Sequence, residues 1–244
     1  MINVGFFCGY PAEYKNLCLV YPPKVKDVVC NKNYSLYAKL LTFSQEEIED
    51  EFIKANMDLT QLLTPFEYIL NNAYNNLQFK TLLEQAFMFF IHEPVTFLFE
   101  NKELIIGEIT ESNSVSQLRI MTENDYFDFQ NMVREACGSE MIKPPNPNID
   151  PRIKAIQAKA RYRDHLKAKQ GKGLNLKTIL SSICCMGFGI NPLNIGELSY
   201  AAIPALIAAY QEKEKYELDV DSLLAGADSK KVKPKYWIRN LDEN

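Results

Sequence analysis

Two hydrophobic periods alternate along the first 140 residues. "NVGFFC" and "LCLVY" are short β-friendly runs separated by "GYPAEYKN", and they predict a hairpin or a pair of strands. Pro22-Pro23 closes the second run, after which "KVKDVV" and "NYSLYAKLL" read as short helices. In "FSQEEIEDEF", Ser44 can accept from the Glu47 amide while the Glu47 carboxylate reaches back to the Ser44 amide. Ile48 and Phe52 then fall four residues apart on one helical face. "LTPFEYILNNAY" repeats the device, with Thr64 as N-cap, Pro65 at the first helical position and Glu67 at the third.

"LQFKTLLEQAFMFFIHEP" predicts the most apolar helix. Phe79, Leu83, Ala86, Phe87 and Phe90 form a broad stripe, and Pro94 stops it. The period then drops to two. "VTFLFENKELIIGEI" predicts a hairpin turning at Glu100-Asn101-Lys102, with Val95, Phe97 and Phe99 on one face. Beyond the polar loop "TESNSVSQ", "LRIM" reads as one more strand. Thr122 caps a helix over "ENDYFDFQNMVREAC", whose acidic first turn suits the helix dipole.

"MIKPPNPNIDP" carries four prolines in eleven residues and marks the boundary of the chain. The expected fold class is α+β: an N-terminal mixed α/β domain with a small antiparallel sheet (1–140), a proline-rich linker (141–151), a basic helical arm (152–172) and a helical C-terminal domain (173–244). In the last of these, "LKTILSSICCM" predicts a helix ended by a turn over Gly187–Asn191. "GELSYAAIPALIAAYQEKEKYELDVDSLLAGA" supplies one or two more, with Pro204 as a candidate kink. "PKYWIRNL" is expected to dock Trp237, the only tryptophan, onto that helical core. Thr178 to Gly196 is uncharged and about as long as a membrane span, but its serines, glycines, asparagines and Pro192 break any continuous helix. Two helices around a turn fit it better.

Charge changes this picture at one place. Hydrophobic residues at 47% and charged residues at 24% are ordinary globular values, and the formal net charge is −4. Yet Arg152 to Lys172 holds eight basic residues against Asp164 alone, so the remainder sums to −11. Asp150 and Pro151 open this block as a helix and Gly171 can stop it. At 100° per residue its cations girdle the helix. Ile153, Ile156 and Ala160 line one side, with Ala155, Ala158, Tyr162 and Leu166 on the other. A DNA-reading or membrane-surface helix wants a single basic face. The block therefore reads first as a solvated connector, then as a contact for an acidic protein partner, and last as a nucleic-acid grip.

Reactive chemistry is thin. The six cysteines include no C-x-x-C pair and only two histidines accompany them, so neither a zinc site nor any other metal or cofactor site is expected. The N-terminus lacks the basic and apolar regions of a signal peptide, and reduced thiols in a cytoplasm are the expectation. No phosphate-binding loop, dinucleotide fingerprint or G-x-S-x-G elbow occurs. His92 reads as a helix-end residue, His165 as a surface residue, and the paired carboxylates of residues 46–51 as a solvated face. An enzyme is not expected.

The phrases "LNIGEL" (Leu193 to Leu198), "SLLAGAD" (Ser222 to Asp228), Lys230-Lys231 and the closing Trp237 resemble the C-terminal part of a family of tailed-bacteriophage tail-morphogenesis proteins. The prolines before the basic helix and "MTENDYFDFQNMVREA" look similar as well, so the resemblance is best over about residues 120–244. "SYAAIPALIAAY" departs from that pattern, since the family helix is bulkier and lacks a counterpart of Pro204. The resemblance implies a tail assembly chaperone in the host cell cytoplasm, which binds the tape-measure protein and recruits tail-tube subunits. The alternative it leaves open is a permanent component of the virion, in tail, neck or baseplate. No catalytic residues are carried over. The residues expected to meet a partner are Arg152, Lys159, Arg163 and Lys167 on the arm, with Leu193, Ile195, Leu198, Tyr200, Tyr210 and Trp237 beyond it.

Overall fold

The computed structural model describes residues 4–55, 62–108, 118–142, 150, 153, 156–157, 159–160, 163 and 175–238. Their architecture is α+β, with helices packed around two small antiparallel sheets. A short helix α1 (Val4–Phe7) leads into a hairpin of β1 (Ala12–Tyr14) and β2 (Cys18–Val20). "NVGFFC" is thus not the first strand of that hairpin. The amides of Gly9 and Tyr10 fold back onto the carbonyls of Phe6 and Gly5 at 3.0 and 2.8 Å, and the helical turn that results buries Phe6 completely. Burial has overruled a weak strand propensity. The true hairpin turns at Lys15-Asn16, both with positive φ (44° and 57°), the left-handed pair that suits the twist of a tight hairpin.

Helices α2 (Val25–Cys30), α3 (Tyr34–Leu41), α4 (Gln45–Lys54) and α5 (Pro65–Asn75) follow. Both expected capping boxes form. The Glu47 amide donates to Ser44 Oγ and the Ser44 amide to Glu47 Oε2, at 3.2 and 3.0 Å, and Thr64 and Glu67 repeat the exchange. Helix α6 (Leu77–Ile91) starts where the Asn76 side chain accepts from the amides of Gln78 and Phe79. It ends at His92, whose left-handed backbone (φ 57°) sits two residues before Pro94.

The second sheet has the order β3 (Val95–Leu98), β4 (Glu103–Ile106), β5 (Arg119–Met121), with Val95 opposite Ile106 and Leu104 opposite Met121. Gly107 has a close-approach role beside it: at φ 98° any Cβ would lie 2.6 Å from Arg119 Nη2. Helix α7 (Glu123–Ala136) closes the N-terminal part. The main core gathers α3, α5, α6, α7 and inward residues of both sheets, with Phe87 stacked on Phe129 at 5.6 Å and Tyr126 tilted against Phe66 at 5.1 Å. The predicted α6 stripe lies inside this core, with Leu83, Ala86, Phe87 and Phe90 fully buried and Phe79 packed at its margin.

The proline-rich segment falls mostly outside the described residues. Those of the arm that are described (153, 156, 157, 159, 160 and 163) are helical and exposed. Helix α8 (Leu176–Cys185) is capped by the Asn175 side chain, a 3-10 turn spans Ile195–Glu197, and helix α9 (Ala202–Leu224) is continuous. Pro204 lies in the first turn of α9, where a missing amide costs no intrahelical bond, so no kink arises. No helix among the described residues is long and apolar enough to cross a membrane. Trp237 corrects one expectation. It belongs to none of the hydrophobic clusters among the described residues; it is half-buried beside Tyr236, which stands edge-on to Tyr216 of α9 at 5.6 Å.

Candidate docking surface

The C-terminal region has one face turned inward and one turned out. The inward face is a strap, Leu198 to Pro204, stitched to the start of α2. The Val25 amide donates to the Leu198 carbonyl at 2.9 Å and the Tyr200 amide to the Pro23 carbonyl at 2.8 Å, making an antiparallel bridge between Lys24 and Ser199. Ser199, itself buried, donates its hydroxyl to the Phe6 carbonyl at 2.6 Å. Ala201 is fully buried in the main core, while Ile203 joins Val25 and Ile183 in a second cluster. Tyr200 meets Tyr34 edge to face at 5.7 Å.

Gly138, just past α7, completes the seam. It adopts φ 67°, and a Cβ there would come within 3.1 Å of the Pro204 ring and 3.3 Å of the Ala201 Cα. Outside the seam the Glu197 carboxylate sits between the ammonium groups of Lys24 (2.8 Å) and Lys26 (2.6 Å). Hydrogen bonds from Lys24 and then Lys26 hold its carboxyl down at about 2. All three side chains are solvent-facing, so this is an orienting clamp more than a source of stability.

The residues expected to meet a partner divide across these faces. Ile195, Leu198 and Tyr200 turn inward onto the seam clusters. Leu193 points outward and is 96% exposed. Tyr210 is half-buried, edge-on to Phe188 at 6.2 Å, and lines an open groove of about 650 Å³ with Asn175, Thr178, Ser182 and Met186. A hydrogen bond with the Glu214 carboxylate pushes its phenol up. Lys159 and Arg163 are exposed, while Arg152 and Lys167 lie outside the described residues. The eight that are described do not form one patch: three of them build the seam.

Sequence reasoning passed over the distal half of α9. Gln211, Glu214, Lys215, Leu218, Asp221 and Ser222 are all exposed and recur at three- and four-residue steps, with Glu217 and Leu224 on the adjoining flank. Leu218 and Leu224 are 66% and 81% exposed. The available signal was the lone Leu218 among Glu214, Glu217 and Asp221, a pattern hidden inside a helix read only for core packing.

Arg119 places both terminal nitrogens on the Glu93 carboxylate and also donates to the Leu17 carbonyl at 3.1 Å. The neighbouring Cys18 thiol is pushed up to about 12, first by burial and then by Glu93, and burial pushes the Cys137 thiol up to about 11. Neither is a ready nucleophile at neutral pH. The His92 ring stacks on Tyr21 at 4.0 Å. Among the described residues no group of three or more His, Cys, Asp and Glu side chains converges in a way that could hold a metal ion.

Residues 167–242 match the family model described as the YomV second domain. YomV is a protein of the Bacillus phage SPbeta region. The C-terminal region is similar to a phage-associated domain family. No curated protein and no solved structure matches the chain. The matched span contains the strap, the groove and both halves of α9, and it begins within the basic block.

Proposed function

We propose that this protein is a bacteriophage tail assembly chaperone, which acts by gripping other proteins and not by catalysis. The observation that carries the reading is the match of residues 167–242 to a phage-associated domain, over the same segment that holds the tail-morphogenesis phrases Leu193 to Leu198, Ser222 to Asp228, Lys230-Lys231 and Trp237. The arrangement of those phrases supports it. Leu198 packs on the seam and Glu197 orients it, while Leu193, Ser222 and Leu224 to Asp228 face solvent, where a partner can reach them. Its partners in this reading are the tape-measure protein, whose long helices need cover before the tube closes around them, and the tail-tube subunit.

Affinity purification of the full chain from infected cells, with quantitative mass spectrometry, tests this. The tape-measure protein should co-purify at a fixed ratio, and purified mature virions should lack the chain. Stoichiometric presence in virions would make it a structural component instead, and recovery without any tail protein would end the reading.

A further inference from the structure

Two exposed helical surfaces of this chain complement each other and are not covered by one another. The first is the distal face of α9, where Leu218 and Leu224 stand among Glu214, Glu217 and Asp221. Residues 211–224 carry five carboxylates against two lysines. The local pairing on this face is loose: Glu217 lies 3.7 Å from Lys213 one turn earlier, and both are solvent-facing. The second surface is on the arm. Ile153 and Ile156 are 51% and 69% exposed, with exposed Ala160 on the same side and Lys159 and Arg163 along its edge. On α9 the carboxylates lie between Leu218 and Leu224, which stand about 120° apart around the helix, whereas on the arm the basic pair borders the two isoleucines.

We propose that the arm of one copy docks on the distal half of α9 of a second copy, head to tail, with Ile153 and Ile156 against Leu218 while Lys159 and Arg163 meet Glu217 and Asp221. The occupant is a second copy because the chain itself supplies both complementary charges, and Ile153, Ile156 and Leu218 all stay exposed within one chain. Area supplies the attraction and charge selects the register. Each copy presents both a donor and an acceptor surface, so the contact is heterologous: it closes into a ring or extends as a filament according to the rotation between copies. An open chain of copies would lay a repeating surface along any elongated partner. The contact itself does not depend on the tail-assembly reading.

The test is sedimentation of the full chain across protein and salt concentration. The expected result is self-association at low salt that weakens as salt rises, because the paired charges are at the surface. The double variants Lys159→Glu/Arg163→Glu and Glu217→Lys/Asp221→Lys should each weaken association about tenfold or more, as expected when two favourable surface pairs become repulsive. Mixing the two variants should restore it, since one then carries an acidic arm and the other a basic α9. A monomer at all concentrations in low salt overturns the proposal. So does failure of the mixture to recover association, or cross-linking of mixed heavy- and light-isotope protein that joins arm to α9 only within one copy.

Discussion

Helix α6 and the distal half of α9 are of similar length and share a hydrogen-bonding pattern, yet they keep their shape for different reasons. Helix α6 carries Leu83, Ala86, Phe87, Phe90 and Ile91 fully buried, and it touches α3, α5 and strands of both sheets. Its helicity is a consequence of packing. The distal half of α9 buries no residue fully and presents Leu218 and Leu224 to water. It rests on intrinsic propensity, on local pairs such as Lys213 with Glu217, and on the Tyr216–Tyr236 contact. Helix α6 also exposes Leu77 and Met88, but the rest of its apolar residues go into the core or its margin, whereas distal α9 has no such buried stripe. The strap from Leu198 to Pro204 separates the two regimes.

This contrast can be broken at several depths. Phe87→Ala, which leaves a void against Phe129 in the main core, should lower unfolding free energy by about 3–5 kcal/mol in urea titrations. Gly138→Ala should cost about 1–3 kcal/mol, because φ 67° penalises a side chain and the new methyl meets Pro204 and Ala201. Hydrogen exchange should show that loss concentrated at the strap and the first turns of α9. Ser199→Ala removes one of the two donors to the Phe6 carbonyl, which keeps the Gly9 amide, and should cost about 0.5–1.5 kcal/mol.

The Glu197 clamp has a smaller effect with a defined sign. Lys24 and Lys26 depress its folded pKa to about 2, below the ordinary glutamate value near about 4.3. Its contribution is therefore complete above the unfolded value and is lost as pH falls from there toward about 2. Glu197→Gln should flatten that part of the stability–pH curve, with its small loss appearing at neutral pH and vanishing in acid, where the wild-type carboxyl is protonated. Leu224→Ser should shift the melting free energy by less than about 0.5 kcal/mol, the outcome expected where a side chain is exposed in the lone chain. A large loss from Leu224→Ser would erase the distinction between the two helices.

Much of the fold was legible because its signals are local. A capping box needs only four consecutive residues, so Ser44/Glu47 and Thr64/Glu67 form as expected. The period-two runs around Glu100-Asn101-Lys102 give the hairpin of β3 and β4, and the α6 stripe lands in the core. "NVGFFC" failed because β propensity in so short a run is weaker than the gain from burying Phe6 beneath Ser199. Trp237 was expected on the C-terminal helical core and instead lies half-buried beside Tyr236, outside the hydrophobic clusters of the described residues; size alone signals burial only where the fold brings an apolar surface to it. Of the candidate site, the arm and the α9 region were visible as compositions, but Ile195, Leu198 and Tyr200 could not be told from surface residues without knowing what faced them.

The chain's own order of residues determined the elements, their caps, the α+β class and the opposite charges of arm and distal α9, all properties that act within a few residues of each other. Tertiary structure alone decided that Phe6, Pro23 and Val25 meet a strap more than 170 positions away, and hence which C-terminal side chains are spent on the core and which remain free. The reason is physical. Hydrogen bonding and charge patterns along one helix are set by neighbours in sequence, whereas burial depends on which surfaces the folded backbone brings into contact.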